Sequence, residues 1–328
     1  AVAILMFLTE HDRLRNRLPD AKENDQMVRT FLDTYTVECV ADEGELDLLQ
    51  VLFEHHIITS SLCYHSAKSG HLACLEYLVD QDMPLRGHPS IVAASNGHLH
   101  VLKFLHKNNK PLDAQCCRHA AERGHLACLQ YLLSIGHPWG TLVTSYAARN
   151  GHIDCLAFAH ENDCPWDGSV CRDASSNGHL QCLQYARDHG CPWDPSVCDT
   201  AAEGGHLDCL QYAFENGCPW DSFTCSAAAS NGHLVCLQFA HENGCPWDAA
   251  TCTNAARGGH LECLAYAHTH GCRWDGLTCS SAAGGGHLGC LQYAREHGCP
   301  WDAETCYYAA LNGHLDCLQY AHTNGCGW

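Results

Sequence analysis

The sequence predicts an all-α solenoid of about eleven helix-turn-helix units, and three observations carry that prediction. A Gly-His pair recurs with His at 71, 98, 125, 152, 179, 206, 233, 260, 287 and 314, a spacing of 27 residues without an insertion or deletion. A unit of that size cannot enclose its own core, so it must be stabilised by stacking on its neighbours. After each His the apolar residues fall one, four and seven places on, as in Leu261, Leu264 and Ala267, which is a helical period.

Taken along the chain, residues 1–36 do not match the repeat. Leu5, Phe7, Leu8, Leu14 and Leu18, then Met27, Val28, Phe31 and Leu32, predict two short amphipathic helices that cap the first unit. Residues 37–150 are a degenerate set of units. The first copy, around Val40 to Leu46, is one residue short, and Leu78, Leu105 and Leu132 stand where later units have Ala. Residues 151–328 are the regular set, each with a Cys-Pro-Trp-Asp type of turn. No Ser/Gly-rich linker separates the two sets, so a continuous stack is expected.

Within one regular unit, Asp248 has the chemistry of an N-cap for a first helix that runs to Gly258-Gly259. The Ala255-Ala256 pair near its end permits close approach of another helix. A second helix follows from His260 and stops at His270-Gly271, with Gly as the left-handed residue. No stretch is left for a strand.

Lys and Arg total 18 against 37 for Asp and Glu, and the formal charge of -19 repels phosphate backbones and anionic lipid. Nucleic acid and membrane surfaces are therefore excluded as expected partners. No run of 18 apolar residues predicts a transmembrane helix. The chain starts on an apolar stretch without a basic flank or an initiator Met, and reads as a fragment or a processed form.

The Ala-Ala-x-x-Gly-His-Leu-x-Cys-Leu run resembles the ankyrin repeat over roughly residues 37–328, with Asn-Gly-Cys-Pro-Trp-Asp in place of that family's post-helical Gly-Ala-Asp stretch. Ordinary ankyrin units have 33 residues, a Thr-Pro-Leu-His signature and a β-hairpin finger. These have 27, with Thr224-Cys225 and Thr251-Cys252 in the signature position, so the fingers are expected to be shortened to tight turns. The short, Cys-rich form resembles arrays of giant DNA viruses and of some protists. The resemblance implies a binding scaffold without catalysis, in an intracellular, cytoplasmic setting or in a virion.

The 26 cysteines recur three, twelve and nineteen places after the His. Free Cys is a small buried hydrophobe, and the resemblance puts core residues at these places. Two alternatives stand beside that reading. Cys245, Cys252, His260 and Cys263, with their equivalents, have the residue types of one zinc site per repeat, although a close Cys-x2-Cys knuckle is absent. Disulfides are the other, and one bond per repeat leaves a thiol over. No cofactor is expected apart from that possible zinc.

The repeated His is expected to hydrogen-bond across the inter-repeat loop, because a buried ring needs a partner. Ten copies argue against a catalytic His, since an active site is singular. His160, His241, His268 and His322 are expected on a polar, solvated face, where they would titrate near neutrality. The tryptophans, Trp166, Trp193, Trp220, Trp247, Trp274 and Trp301 among them, lie fourteen places after the His and form a row. Helix spacing of about 8–10 Å argues against Trp-on-Trp stacking, so a Pro/Trp edge sealing the turns is one reading and an aromatic peptide-binding rail the other.

The function these features support is a protein-interaction scaffold that takes an unidentified protein partner on its concave face and turn edge. Partner-reading residues are expected where copies differ, as at Phe223 and Leu277, together with the Trp row. The rivals are a self-assembling component of a virion or fibre and a multi-zinc protein. No phosphate-cradling loop or nucleophile elbow points to an enzyme.

Overall fold

The chain is described over residues 34–54 and 58–327 in a computed structural model. The helical cap expected over residues 1–36 lies outside the described residues except where the first described helix begins, at Thr34. Among the described residues there are 22 helices, in eleven pairs, and no strand. The chain divides into two compact units between Val143 and Thr144.

Each pair follows the expected plan. The first helix Ala249–Gly258 is capped by Asp248, whose carboxylate accepts from the Ala250 N–H at 2.9 Å. Asp221, Asp275 and Asp302 do the same for their helices. Pro, Trp and Asp thus form a turn whose last residue satisfies an otherwise orphan N–H. The second helix runs Leu261–Thr269, and His260 precedes it without a side-chain capping bond. Its end is closed by left-handed Gly271, φ 87°.

The reason for the missing cap is that the His side chain is used elsewhere. The Nε2–H of His71 donates to the Asp42 carbonyl at 2.8 Å, that of His98 to Lys68 at 2.9 Å and that of His125 to Ser95 at 3.0 Å. These bonds cross to the preceding helix pair, as expected from the sequence. The other side of each ring lies over the left-handed glycine of that preceding pair. A Cβ on Gly70 would stand 2.6 Å from His98 Nδ1, and one on Gly178 2.6 Å from His206 Nδ1. Gly-His dipeptides within the array, such as Gly178-His179 and Gly232-His233, therefore receive one imidazole and send another to the pair before, whereas Gly313 at the end receives none.

In the first unit the layer between helices is filled by fully buried Leu75, Leu78, Leu102, Leu105, Leu129 and Leu132. In the second unit Leu183, Leu210, Leu237 and Leu264 remain, but Ala186, Ala213, Ala240 and Ala267 replace the second Leu. The lost volume is matched by buried Cys191, Cys218, Cys245 and Cys272 in the turns. Small residues, Ala228-Ala229, Ala255-Ala256 and Ala282-Ala283, are fully buried between first helices. Those helices pack on one another more closely than the second helices do.

The two glycines of one repeat are separable by experiment. Gly178 (φ 74°) and Gly190 (φ 81°) are both left-handed, but a Cβ on Gly190 meets nothing within 4 Å. Gly190→Ala should cost about 1–2 kcal/mol, the left-handed penalty for an L residue. Gly178→Ala must also displace the His206 ring and is expected to cost more, read as urea midpoints at constant slope. Equal losses would remove the ring cradle as the reason for that glycine.

Candidate interaction surfaces

Three features of the repeat carry chemistry: the turn edge, the buried thiols and the outward side of the first helices. At the turn edge no two tryptophans meet in a ring contact among the described residues. The indoles of Trp166, Trp193, Trp220, Trp247, Trp274 and Trp301 are covered instead by the residue six places before each. His160 stacks on Trp166 at 3.9 Å between centroids, Phe214 on Trp220 at 4.1 Å, and His241 and His268 on Trp247 and Trp274 at 3.8 Å. Arg187 and Arg295 place guanidinium groups 4.8 and 4.5 Å from the Trp193 and Trp301 ring centroids. The next pair adds a ring edge-on, Tyr266 to Trp247 at 6.3 Å and Phe239 to Trp220 at 6.2 Å.

One expectation is corrected here. The indoles are packed by a second-helix side chain, and His160, His241 and His268 are stacked on Trp rather than solvated. The Nδ1 atoms of His241 and His268 face the hydroxyls of Tyr266 and Tyr293 at 3.1 and 3.3 Å. Burial lowers the pKa of both rings below 6.5, and His270 or His297 beside them lowers it further. The Trp side chains remain half-exposed.

The thiols pair differently from their linear order. Cys171, Cys198, Cys225, Cys252 and Cys279 on first helices face Cys191, Cys218, Cys245, Cys272 and Cys299, each twenty residues on. The turn sulfurs pass the chain of donors on to the N-cap backbone: Cys191 S–H donates to Asp167 O, and Cys245 S–H to Asp221 O, both at 3.1 Å. In the first unit the same slot holds a Cys and a His, with Cys117 Sγ 3.5 Å from His137 Nδ1. Hydrogen bonding to the partner sulfur and burial hold the first-helix thiols far above their usual pKa. The second-helix thiols are raised by burial alone in Cys182 and Cys236, to about 11.

Cys245, Cys252, His260 and Cys263 are not gathered into one site. Cys245 pairs with Cys225 and Cys252 with Cys272, while the His260 ring lies over Gly232. Among the described residues no group of three or more His, Cys, Asp or Glu is placed to hold a metal ion.

On the first-helix side the second residue after the turn Asp is exposed in the last four units, at Phe223, Ala250, Leu277 and Glu304. Phe223 is 69% exposed and Leu277 54%. A groove of about 350 Å³ is lined by Leu277 and Tyr308 with Arg257 and Asn312. The Trp row and these two residues therefore lie on separate strips, the turn edge and the first-helix face.

This arrangement is that of a helical-repeat protein, built from hairpins that interlock only with their neighbours. Residues 91–133 match the family model described as ankyrin repeats in many copies, so that stretch carries ankyrin repeats. Among solved structures, the human ASB11 ankyrin repeat domain is similar at 19% identity, covering 48% of this chain and 84% of that one, with a TM-score of 0.42. No curated protein matches the chain. No helix among the described residues is long and apolar enough to cross a membrane.

The lowered histidines set a pH dependence. His98, His179, His241 and His268 have folded pKa values below the reference 6.5, chiefly through burial. The unfolded chain then binds protons first, so stability is full above pH 6.5 and falls as pH drops below it. Melting temperature should decline between about pH 7.5 and 5.5, and His241→Gln with His268→Gln should shrink the decline. A flat or rising profile would contradict the assignment. Thiol reactivity gives a second check: all cysteines except half-buried Cys39 are buried. A thiol reagent at neutral pH is expected to label about one site quickly in native protein and all 26 in denaturant.

Proposed function

We propose that the chain is a protein-interaction scaffold with no catalysis of its own, taking a protein partner on its first-helix face and turn edge. The observation that carries this reading is the contrast between a repeated frame and unrepeated outward residues. Ala255, Cys252 and His260 have counterparts in every regular unit, whereas the outward places hold Phe223, Ala250, Leu277 and Glu304 in successive copies. A frame that repeats holds the fold, and residues that vary on its outside distinguish partners.

The reading of the cysteines is core packing, with neither resident zinc nor disulfides. Its support is the donation of the turn thiols to backbone carbonyls and the burial of the other thiols, Cys39 apart, in the core. Reduced thiols of this kind suit an intracellular setting. Dialysis against a chelator should leave the melting curve unchanged, whereas a zinc-dependent fold would unfold.

Phe223→Ser with Leu277→Ser tests the interaction face, since both side chains are exposed and their loss leaves the core intact. Affinity capture from the source cells, quantified by mass spectrometry, should lose the partner recovered by the parent chain, with unchanged thermal stability. Retention of that partner would move the interface off the first-helix face. Light scattering separates this reading from self-assembly, because a mass that grows with concentration would favour the assembling component of a virion or fibre.

A further inference from the structure

The second unit is regular enough that its one irregular place stands out. Twenty-four residues after the repeated His, successive units carry Ser176, Glu203, Ser230, Arg257, Gly284 and Leu311. Gly284 alone has no side chain, and the row opens there into the groove of about 350 Å³. That volume falls at the lower end of the range for pockets that take a specific ligand. A Cβ on Gly284 would stand 3.2 Å from Tyr308 Cβ and 3.6 Å from Asn312 Nδ2, close against the Tyr308 side of the groove.

Asn312 is also unlike its counterparts. Asn150, Asn177 and Asn231 each donate to a carbonyl four residues back on their own helix. Asn312 instead donates across to the Gly284 carbonyl of the preceding pair at 2.9 Å. The amide thereby fixes the floor of the groove, and the ring of Tyr308, 39% exposed, forms one wall opposite Leu277.

The charge at this place is reversed from that of the chain. Residues 144–328 contain no lysine and six arginines. Arg149 and Arg172 are engaged by Asp173 and Asp194, and Arg187 and Arg295 lie on tryptophans. Arg257 and Arg273 have no ion pair among the described residues, and of these two only Arg257 lines the groove. The groove lining contains no carboxylate, although the protein as a whole is at -19. A guanidinium beside an apolar wall is complementary to a carboxylate carried next to a large apolar side chain.

We infer that the groove between Arg257, Leu277, Gly284 and Tyr308 binds a peptide segment of a partner protein in which an Asp or Glu adjoins a large apolar residue. The carboxylate sits on Arg257, and the apolar side chain lies between Leu277 and the Tyr308 ring over Gly284. Ser281 supplies a hydroxyl for the peptide backbone. This inference rests on the first-helix-face half of the scaffold reading and gives that face its partner chemistry.

The test uses the full chain, immobilised, and a displayed library of random heptapeptides. Two variants accompany it. Arg257→Gln removes the charge at an exposed site, and Gly284→Ser fills the groove with the residue the fold already accepts at Ser230. Melting curves show that both remain folded. Enriched peptides should share an acidic residue beside Leu, Phe, Tyr or Trp. The best of them, resynthesised, should bind about tenfold more weakly to Arg257→Gln, and its Asp→Asn or Glu→Gln analogue should lose a similar factor on the parent chain. Gly284→Ser should weaken it as well. Recovery of cationic peptides, recovery of none, or equal binding by both variants would overturn the inference. If that happens while Phe223→Ser with Leu277→Ser still abolishes partner capture, the scaffold reading survives without this groove. If capture also persists, both fall.

Discussion

The imidazole seated on a glycine is the contact on which the array depends. A hairpin of 27 residues has two short helices and no edge with which to recognise the next hairpin. The His ring supplies that recognition because it satisfies two conditions at once. Its Nε2–H must find a carbonyl, as on Lys68 for His98, and its flat face must find a surface without a Cβ, as on Gly70. For His98 the carbonyl lies 30 residues back and the glycine 28. In the degenerate first copy one residue is missing, and His71 still reaches the Asp42 carbonyl, 29 residues back, and lies over Gly44, 27 back. The clamp is kept across the deletion.

Much of this was legible because it is periodic. The Asp248 cap, the left-handed Gly259 and Gly271, and the cross-repeat hydrogen bond of the histidine each follow from one residue type at one recurring place. What was not legible is pairing between places that are far apart in sequence. Linear spacing put Cys245 nearest Cys252, but the hairpin brings the turn after the second helix back to the start of the first, so Cys252 meets Cys272. The same geometry decides the tryptophans. Trp247 lies six residues after His241, a separation that crosses the helix end, where helical periodicity no longer says which side chains face one another.

The His-on-Trp and Arg-on-Trp contacts show how one slot tolerates different chemistry. Position 160, 187, 214, 241, 268 or 295 holds His, Arg, Phe, His, His or Arg, and in each case a flat or planar group covers the following indole. What the slot selects is planarity, since an imidazole, a benzene ring and a guanidinium all offer a face to the π-system. Charge is left to vary, and so the turn edge can change its electrostatics from unit to unit without repacking.

The shortened turn explains why variation collects on the first helices. A β-hairpin finger projects backbone and side chains away from the stack, whereas Pro-Trp-Asp closes the connection in three residues and gives its Asp to a cap. The Trp is given to the aromatic strip and the preceding Cys to the thiol pair, so nearly every turn residue has a structural duty. The first free position after the turn is the second residue of the first helix, where Phe223 and Leu277 stand. One further position, twenty-four residues after the His, faces the same side at the other end of that helix and ranges from Glu203 to Gly284 to Leu311. A repeat this compact has little surface that its own fold does not use. That remainder, at two ends of a short helix, is where differences between copies can accumulate without loosening the clamp.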